Sequence, residues 1–365
     1  MPEPLPEVAV LGATGFVGLP LCELLRTAGY PVTAIARRSS AFLLEGRGLQ
    51  ILNPEEAEQK PFSVVINLAY PTSPHAHLHP QENRRILELI HRLVRPGTRL
   101  VHFSSLGVFG LDLRHPVNLE LPPFRRDREY VECKAQMEHW LAERFADQEL
   151  HFVRPGNVWG PGSPNWVAGI VERIKNGQPM GVHGQTAYAN LTDVANLVDY
   201  VAFLIRQQPT RGLQFHHVAE FSGHTWDEVI SFLATAVKRQ PVWLQEFALA
   251  PISTAQLLGV GTQACRNAAL QTFRQLRSGR ETGSWVRSAF ATVPKSLLGA
   301  VKRLKGGAVL PSDDPDLGSV DEQWLEVLTC SREFHSVVRP GWQPPVSFDE
   351  SLARVLTWMK SAGFC

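Results

Sequence analysis

The sequence has few cysteines and no long apolar run. Its 365 residues include 5 cysteines, an odd number without any C-x-x-C spacing, which is typical of reduced thiols and argues against a disulfide framework. No run of about 18 consecutive apolar residues is present, so no transmembrane helix is predicted. The first residues lack the basic segment of a secretory signal peptide. Together these absences predict a cytoplasmic protein.

An excess of charge of one sign is also missing. Lys and Arg total 36, and Asp and Glu total 35, so a globally basic nucleic-acid binder is excluded. The chain is 44% hydrophobic and 19% charged, which is ordinary for a folded globular protein and excludes a mainly disordered one.

Short apolar runs alternate with helical patterns over the first part of the chain. The strand-like runs are 7–11, 31–36, 64–68, 100–103 and 151–154, and the helical patterns between them include 84–94 and 130–145. This alternation is typical of βαβ units, whose right-handed crossovers build a parallel sheet. We therefore predict the α/β class with a doubly wound, Rossmann-type parallel sheet.

A glycine-rich turn follows the first predicted strand and opens the first helix. In Gly12-Ala-Thr-Gly15-Phe-Val-Gly18 the first glycine permits a tight turn, the second lets backbone N–H groups approach a pyrophosphate, and the third allows close packing of helix on strand. The helix N-terminus favours the phosphate charge. The turn predicts a dinucleotide site whose residues are Gly12, Thr14, Gly15, Phe16, Val17 and Gly18.

The end of the second predicted strand carries basic residues instead of an acidic one. An acidic side chain there would bind ribose hydroxyls, whereas Arg37-Arg38-Ser39-Ser40 suits a 2′-phosphate. The sequence therefore predicts a preference for NADP(H), with NAD(H) as the alternative and a solvated basic loop as the simplest competing interpretation.

The character of the chain changes after Pro155. We predict an NAD(P)-binding Rossmann domain over 1–160, with a returning segment at about 187–219 that contains a helix over 189–206 and a strand over 214–219. Residues 161–186 and 220–365 are predicted to form a smaller, mostly helical substrate-binding region.

A tyrosine and a lysine are placed four residues apart on one predicted helix. Tyr130 and Lys134 therefore lie on the same face. A neighbouring ammonium lowers the pKa of a phenol, so Tyr130 can exchange a proton with a hydroxyl or carbonyl while hydride moves to or from a nicotinamide. Ser105 follows the predicted strand 100–103, and its hydroxyl can hold the reacting oxygen; turn capping is the simpler role of such a serine.

These motifs occur in a characteristic order. Gly12–Gly18 is followed by Asn67-Leu-Ala-Tyr70, Asn83, Phe103-Ser-Ser-Leu-Gly-Val-Phe-Gly110, Tyr130–Lys134, Arg154-Pro-Gly-Asn-Val-Trp-Gly-Pro161, Leu191-Thr-Asp-Val-Ala195 and Gly341-Trp342-Gln-Pro344. The sequence resembles the extended short-chain dehydrogenases/reductases of the NAD(P)-dependent epimerase/dehydratase family, from residue 8 to about 230 and again near 340–360.

The resemblance implies roles for individual residues. It implies that Ser105, Tyr130 and Lys134 are catalytic, with Lys134 also holding the ribose, and that Asn157 and Ser105 contact the substrate. Further cofactor-lining residues that it implies are Leu68, Ala69, Tyr70, Ser104, Pro155 and Val158. It also implies a homodimer.

Two departures from the family pattern narrow the function. Leu106 and Gly107 stand where dehydratases of the family carry acidic residues after the catalytic Ser, so a 4,6-dehydratase is disfavoured. No Arg occurs in 185–190, where sugar-nucleotide enzymes often clamp the diphosphate, which leaves the nucleotide half of the substrate open. Arg173, Lys175 or a later basic stretch are alternative clamps.

The sequence and the resemblance together predict an NADP(H)-dependent enzyme acting at a secondary alcohol or ketone. The favoured substrate is an activated sugar, either nucleotide- or lipid-linked. Its C4 is either epimerised or reduced. The alternative is reduction of a non-sugar carbonyl such as a steroid-like or flavonoid-like ketone. A non-catalytic NADP(H)-sensing protein is disfavoured because Tyr130 and Lys134 are both present.

Two further stretches are unusual in composition. His75, His77 and His79 could bind a metal, but no Cys or acid lies between them, so an exposed or substrate-facing loop is favoured and no metal is predicted. Residues 261–306 carry nine Lys or Arg and a single acid, Glu281. This stretch is interpreted as a solvated face, with an anionic-substrate site and peripheral membrane contact as alternatives.

Overall fold

A parallel sheet forms the centre of the computed structural model, which describes residues 5–71, 78–110, 118–122, 129–182, 184, 187–244 and 322–365. Its seven strands, in order across the sheet, are β10 (Gly212–Val218), β6 (Glu149–Pro155), β5 (Arg99–Phe103), β4 (Val64–Asn67), β1 (Val8–Leu11), β2 (Val32–Ile35) and β3 (Gln50–Leu52). All neighbouring strands pair in parallel. The order reverses at β1, which creates a crevice at the carboxyl ends of the strands.

Helices cover both faces of this sheet. In chain order they are α1 (Gly18–Thr27), α2 (Pro54–Ala57), α3 (His79–Leu93), α4 (Glu129–Phe145), α5 (Ile170–Lys175), α6 (Val194–Arg206), α7 (Trp226–Ala236), α8 (Glu322–Cys330) and α9 (Phe348–Ser361). Residues of α1 and α6 pack on one face, and residues of α3 and α4 pack on the other. The prediction of a doubly wound parallel sheet is confirmed.

Four shorter strands pair outside the main sheet. β7 (Asn157–Trp159) pairs with β9 (Leu191–Asp193), and β8 (Pro179–Val182) pairs with β11 (Val242–Leu244). β9 corrects the expected helix over 189–206: the Asp193 carboxylate accepts a hydrogen bond from the Ala195 N–H at 2.7 Å, so the helix begins only at Val194. The predicted returning strand is confirmed as β10.

A second hydrophobic cluster lies beyond the main sheet. It combines α5, α7, α8 and α9 with a π-helix at Pro164–Gly169, and its fully buried members include Trp159 and Trp226. The described residues belong to one compact unit, which comprises 1–246 and 320–365. The predicted boundaries between a Rossmann domain and a substrate-binding region stay a prediction.

Buried histidines are concentrated on the strands of the main sheet. His151 Nδ1 lies 2.9 Å from His216 Nε2, and His216 Nδ1 lies 2.7 Å from the Tyr200 hydroxyl. Burial, with a contribution from neighbouring cations, lowers the pKa of His216 to about 3 and that of His217 to about 4. Burial likewise lowers the pKa of His102 and His151. These rings are neutral in the folded protein.

Stability is expected to fall as the pH falls below about 6.5, because the unfolded chain then binds protons that the folded chain does not. Burial raises the pKa of Glu220 to about 7, which opposes this trend between pH 4.5 and 7. His217→Gln removes one such histidine. In urea unfolding, its loss of stability between pH 6.5 and 4.5 should be smaller than that of the wild type by about 2 kcal/mol. Equal losses would contradict the neutral, buried state of His217.

Candidate active site

Three neighbouring strands end in residues of the predicted site. The glycine turn follows β1, Leu68–Tyr70 follow β4, and Ser104 and Ser105 follow β5. Because these strands are parallel neighbours, their carboxyl ends meet at one edge of the sheet. Residues that are far apart in sequence thus converge on the crevice beside β1.

The glycine turn is too tight for side chains. Gly12 has a φ of +78°, and a Cβ there would lie 2.9 Å from the Ala69 nitrogen. A Cβ on Gly18 would lie 2.1 Å from the Gly12 carbonyl oxygen, so this glycine lets α1 pack directly on the turn. Thr14, Phe16 and Val17 of the same turn remain partly accessible, and Gly15 is exposed. The cradle therefore fits a pyrophosphate, as the sequence predicts.

Ser105 and Tyr130 are joined by a hydrogen bond between their side chains. Ser105 Oγ also accepts the Gly107 N–H at 3.1 Å, which leaves its proton for the Tyr130 oxygen. Although 44% of Tyr130 is exposed, desolvation of its hydroxyl raises its pKa above 10, and the hydrogen bond from Ser105 offsets part of this rise.

The expectation that Lys134 lowers the pKa of Tyr130 is therefore wrong for the described arrangement. The Lys134 ammonium donates to the Phe103 carbonyl at 2.9 Å, and the group that lowers the phenol pKa is the Ser105 hydroxyl. Burial lowers the pKa of Lys134 itself to about 8, against opposing contributions from Cys133 and Glu138. Lys134 is thus a buried cation whose pKa lies below that of an exposed lysine.

Tyr70 completes an aromatic contact around these residues. Its ring centroid lies 5.1 Å from that of Tyr130, and the Lys134 Nζ lies 5.3 Å from the Tyr70 centroid. The backbone on its N-terminal side is held by Asn67, whose Oδ1 accepts the Ala69 N–H at 3.1 Å. Leu68, Ala69 and Tyr70 are all partly exposed at the crevice.

Ser104 presents a buried polar atom at the same edge. Its backbone N–H donates to the Val153 carbonyl at 2.8 Å, but its Oγ has no hydrogen-bond partner within the described part of the chain. A buried hydroxyl without a partner is unfavourable, and a ligand hydroxyl would satisfy it. Together with the glycine cradle, this atom fits a bound dinucleotide.

The basic residues after β2 are solvent-exposed. Arg37, Arg38 and Ser39 follow Ala36, just beyond the end of β2, which is the neighbour of β1 in the sheet. The Ser40 backbone N–H donates to the Arg37 carbonyl at 2.9 Å, which turns the chain at this point.

Pro155, Asn157 and Val158 lie at the end of β6 and in β7. Pro155 is buried, whereas Asn157 and Val158 are partly exposed. The Asn157 amide donates to the Ala189 carbonyl at 2.7 Å, which commits its nitrogen to the protein and leaves its oxygen for a ligand.

Arg154 anchors the strand β6 to the helix α4. Its guanidinium pairs with the Glu138 carboxylate at 2.6 Å, and both residues are fully buried. It also donates to the carbonyls of Asn118 and Glu120 at 3.2 and 2.6 Å. Glu138 lies one turn beyond Lys134, so this pair supports the helix that carries Tyr130 and Lys134.

A C-terminal segment contacts the site, and no local sequence pattern predicts this contact. Asn190, in a left-handed conformation with φ of 44°, donates to the Arg332 carbonyl at 2.7 Å and accepts the Phe334 N–H at 2.7 Å. Phe334 packs in a cluster with Leu106, which directly follows Ser105, and with Phe109. Motif matching missed these residues because their sequence separation exceeds any local pattern.

Several predictions lie outside the described residues. These are His75, His77, the basic stretch 261–306 and Gln185. His79 is described and begins α3. Within the described ranges no helix is long and apolar enough to cross a membrane.

The chain is similar to known proteins in sequence and in structure. The model of the NAD dependent epimerase/dehydratase family matches residues 8–216. N-acetyl-alpha-D-glucosaminyl-diphospho-ditrans,octacis-undecaprenol 4-epimerase of Escherichia coli O157:H7 is 26% identical over 216 residues, which are 55% of this chain and 63% of that protein. The chain therefore spans less than two thirds of this relative.

Two solved structures share the fold at low identity. The Bordetella bronchiseptica enzyme WbmG in complex with NAD has a TM-score of 0.59 and 15% identity, with 100% of this chain and 96% of that chain covered. UDP-N-acetylglucosamine 4-epimerase from Bacillus cereus has a TM-score of 0.51 and 15% identity, with 67% and 89% covered. Since the family model covers more than half of the chain and the fold agrees with it, this protein belongs to the NAD dependent epimerase/dehydratase family.

Proposed function

We propose that the protein is an NADP(H)-dependent enzyme that oxidises and reduces C4 of a sugar linked to a diphosphate, with epimerisation as the net reaction. The observation that carries this proposal is the convergence of Ser105, Tyr130 and Lys134 on one edge of the sheet, beside the glycine turn. The name of the Escherichia coli relative supports a diphosphate-linked sugar and a 4-epimerase activity.

In this mechanism Ser105 and Tyr130 act on one oxygen of the substrate. The Ser105 hydroxyl orients the C4 oxygen, and Tyr130 takes the hydroxyl proton as hydride leaves the carbon. A bound nicotinamide would supply the acceptor and donor of this hydride. Lys134 would donate to the ribose, while Tyr130 returns the proton when the ketone is reduced.

The remaining site residues position the ligands. The backbone of Gly12–Gly18 binds the pyrophosphate, Leu68–Tyr70 line the nicotinamide half, and the Ser104 hydroxyl contacts the ribose. Pro155 and Val158 form the wall beside the nicotinamide, and the Asn157 side-chain oxygen contacts the sugar. Epimerisation requires the keto-sugar to be reduced from its opposite face, so the enzyme must retain it between the two steps.

The release of bound nicotinamide on denaturation separates the two net reactions. The purified protein is denatured, and any nicotinamide dinucleotide is identified by mass spectrometry. Cofactor near one per chain supports an internal redox cycle and hence an epimerase. Empty protein that binds NADPH and oxidises it with a ketone indicates a net reductase and contradicts epimerisation.

The substrate is tested with two diphosphate-linked sugars. UDP-N-acetylglucosamine and N-acetylglucosaminyl-diphospho-undecaprenol are each incubated with the loaded enzyme, and formation of the C4 epimer is followed by mass spectrometry after chromatography. Conversion of only one of these two substrates identifies whether the sugar is linked to a nucleotide or to a lipid. Turnover of neither, with oxidation of NADPH by steroid-like or flavonoid-like ketones, would establish the alternative function.

Arg37 and Arg38 are proposed to bind the 2′-phosphate of NADP(H). The double substitution Arg37→Gln/Arg38→Gln should raise the Kd for NADPH roughly 10- to 100-fold, because charge-assisted hydrogen bonds to the phosphate are lost. The Kd for NADH should remain unchanged, as measured by titration calorimetry. Arg47→Gln, which removes an exposed arginine paired with Glu23, is the matched control. An unaltered preference, or a wild type that favours NADH, would refute the assignment.

A further inference from the structure

The Tyr70 ring lies against both ionisable residues of the catalytic helix. Its centroid is 5.1 Å from the Tyr130 ring at an interplanar angle of 59°, and 5.3 Å from the Lys134 Nζ. The centroid of the His79 ring lies 6.2 Å from that of Tyr70, edge to face. The Tyr70 ring thus contacts both Tyr130 and Lys134.

The position of this ring is set by a buried pair of polar side chains. The Asn67 amide donates to His102 Nδ1 at 2.9 Å, and its oxygen accepts the Ala69 N–H. Asn67 and His102 are both completely buried. The turn that presents Tyr70 is therefore fixed to β4 and β5, and the ring is held in place by rigid elements.

A buried ammonium needs compensation for lost water. Lys134 is 4% exposed and donates to the Phe103 carbonyl. Burial lowers its pKa to about 8, while Cys133 and Glu138 on α4 favour its charged form. His102 is neutral on the β5 side, because burial and Lys134 itself lower the His102 pKa. The face of an aromatic ring attracts a cation, and the attraction is stronger where water is excluded.

The geometry points to Tyr70 as a positioning residue, whose ring holds Lys134 as an ammonium next to Tyr130. This role deepens the proposed function, on which its catalytic meaning rests. The ring attracts the ammonium, so Lys134 keeps its positive charge and its hydrogen bond to the Phe103 carbonyl at the pH of turnover.

Two substitutions of Tyr70 separate the effect of the ring from that of its hydroxyl. Tyr70→Leu keeps an apolar side chain but removes the ring, whereas Tyr70→Phe keeps the ring and removes only the hydroxyl. The charge of Lys134 is read directly from the Cε resonance in protein labelled with ¹³C-lysine and titrated between pH 6.5 and 9.5. Lys134→Arg, which lacks this resonance, assigns it. Because no cofactor or substrate is needed, the result does not depend on the proposed activity.

The wild type and Tyr70→Phe should titrate together, near the value of about 8 that burial imposes on Lys134. In Tyr70→Leu the midpoint should fall by about half a pH unit or more, which is roughly a threefold or larger increase in the acid dissociation constant. Tyr70→Met provides the same comparison if the leucine variant does not fold. Trp140→Leu, which removes the ring over which Arg144 stacks at 3.9 Å, should leave the Lys134 midpoint unchanged.

Equal midpoints in the wild type and Tyr70→Leu would overturn the inference, as would a shift in Tyr70→Phe equal to that in the leucine variant. Absence of bound nicotinamide from the denatured wild type bears on the proposed function alone, since the titration is made without it. If the inference about Tyr70 and the proposed function both hold, the alkaline limb of the kcat pH profile should also move to lower pH in Tyr70→Leu.

Discussion

Replacement of Tyr130 by Phe is expected to lower kcat by roughly 10²- to 10⁴-fold, the contribution of a positioned general acid and base. The phenol is the group that Ser105 hydrogen-bonds, and it borders the crevice with 44% of its surface exposed. The substitution removes one oxygen and preserves the ring that contacts Tyr70. Bound nicotinamide should therefore remain near the wild-type amount.

The measurement is the rate of C4 epimer formation on the diphosphate-linked sugar that the wild type converts. Tyr30→Phe is the matched control, because Tyr30 is a buried core residue just beyond the C-terminal end of α1, and its substitution should leave kcat unchanged. A Tyr130→Phe enzyme with kcat close to that of the wild type would show that another group moves the proton.

Replacement of Arg154 by Met is expected to lower the free energy of unfolding by about 3–5 kcal/mol. The guanidinium is fully buried between the rings of Phe109 and Phe215, at 4.9 and 4.6 Å, and pairs with the buried Glu138 carboxylate. Its removal leaves that carboxylate buried without its partner, which is the costly way to break such a pair.

Urea unfolding of three variants tests this assignment. Arg84→Met, which removes an exposed pair with Glu88, should change stability by less than about 1 kcal/mol. The double variant Arg154→Met/Glu138→Leu should be more stable than Arg154→Met, because no unpaired charge remains. A single Arg154→Met variant as stable as Arg84→Met would mean that water compensates Glu138.

Elements with a strong local pattern were predicted close to their observed bounds. The run 100–103 became β5, and the helical pattern 130–145 became α4, because strand and helix periodicity is legible over a few residues. The predicted helix 84–94 begins five residues earlier, at His79, where Pro80 occupies the first turn. Short strands such as β9 and β11 were missed, since three residues carry too little periodicity to identify a strand.

In the candidate site, too, some features were predicted from the sequence and others were not. The spacing of Tyr130 and Lys134 determines that they share a helix face, and the parallel order of strands determines that Ser105 meets them at the crevice. The direction of the Tyr130 pKa shift was predicted wrongly, because it depends on which atoms surround the hydroxyl and where the Lys134 ammonium is directed. Catalytic roles for these residues stay predictions.

The sequence by itself therefore determined the alternation of strands and helices, the glycine turn and the family. All three are recognised from short stretches of sequence. Strands and helices are recognised because side chains repeat every two residues in a strand and every 3.6 in a helix. Only the tertiary structure decided the Arg154–Glu138 pair, the contact of Phe334 with the turn after Ser105, and the ring of Tyr70 against Lys134. These contacts join distant segments through packing and desolvation, and no local period encodes which segments will meet.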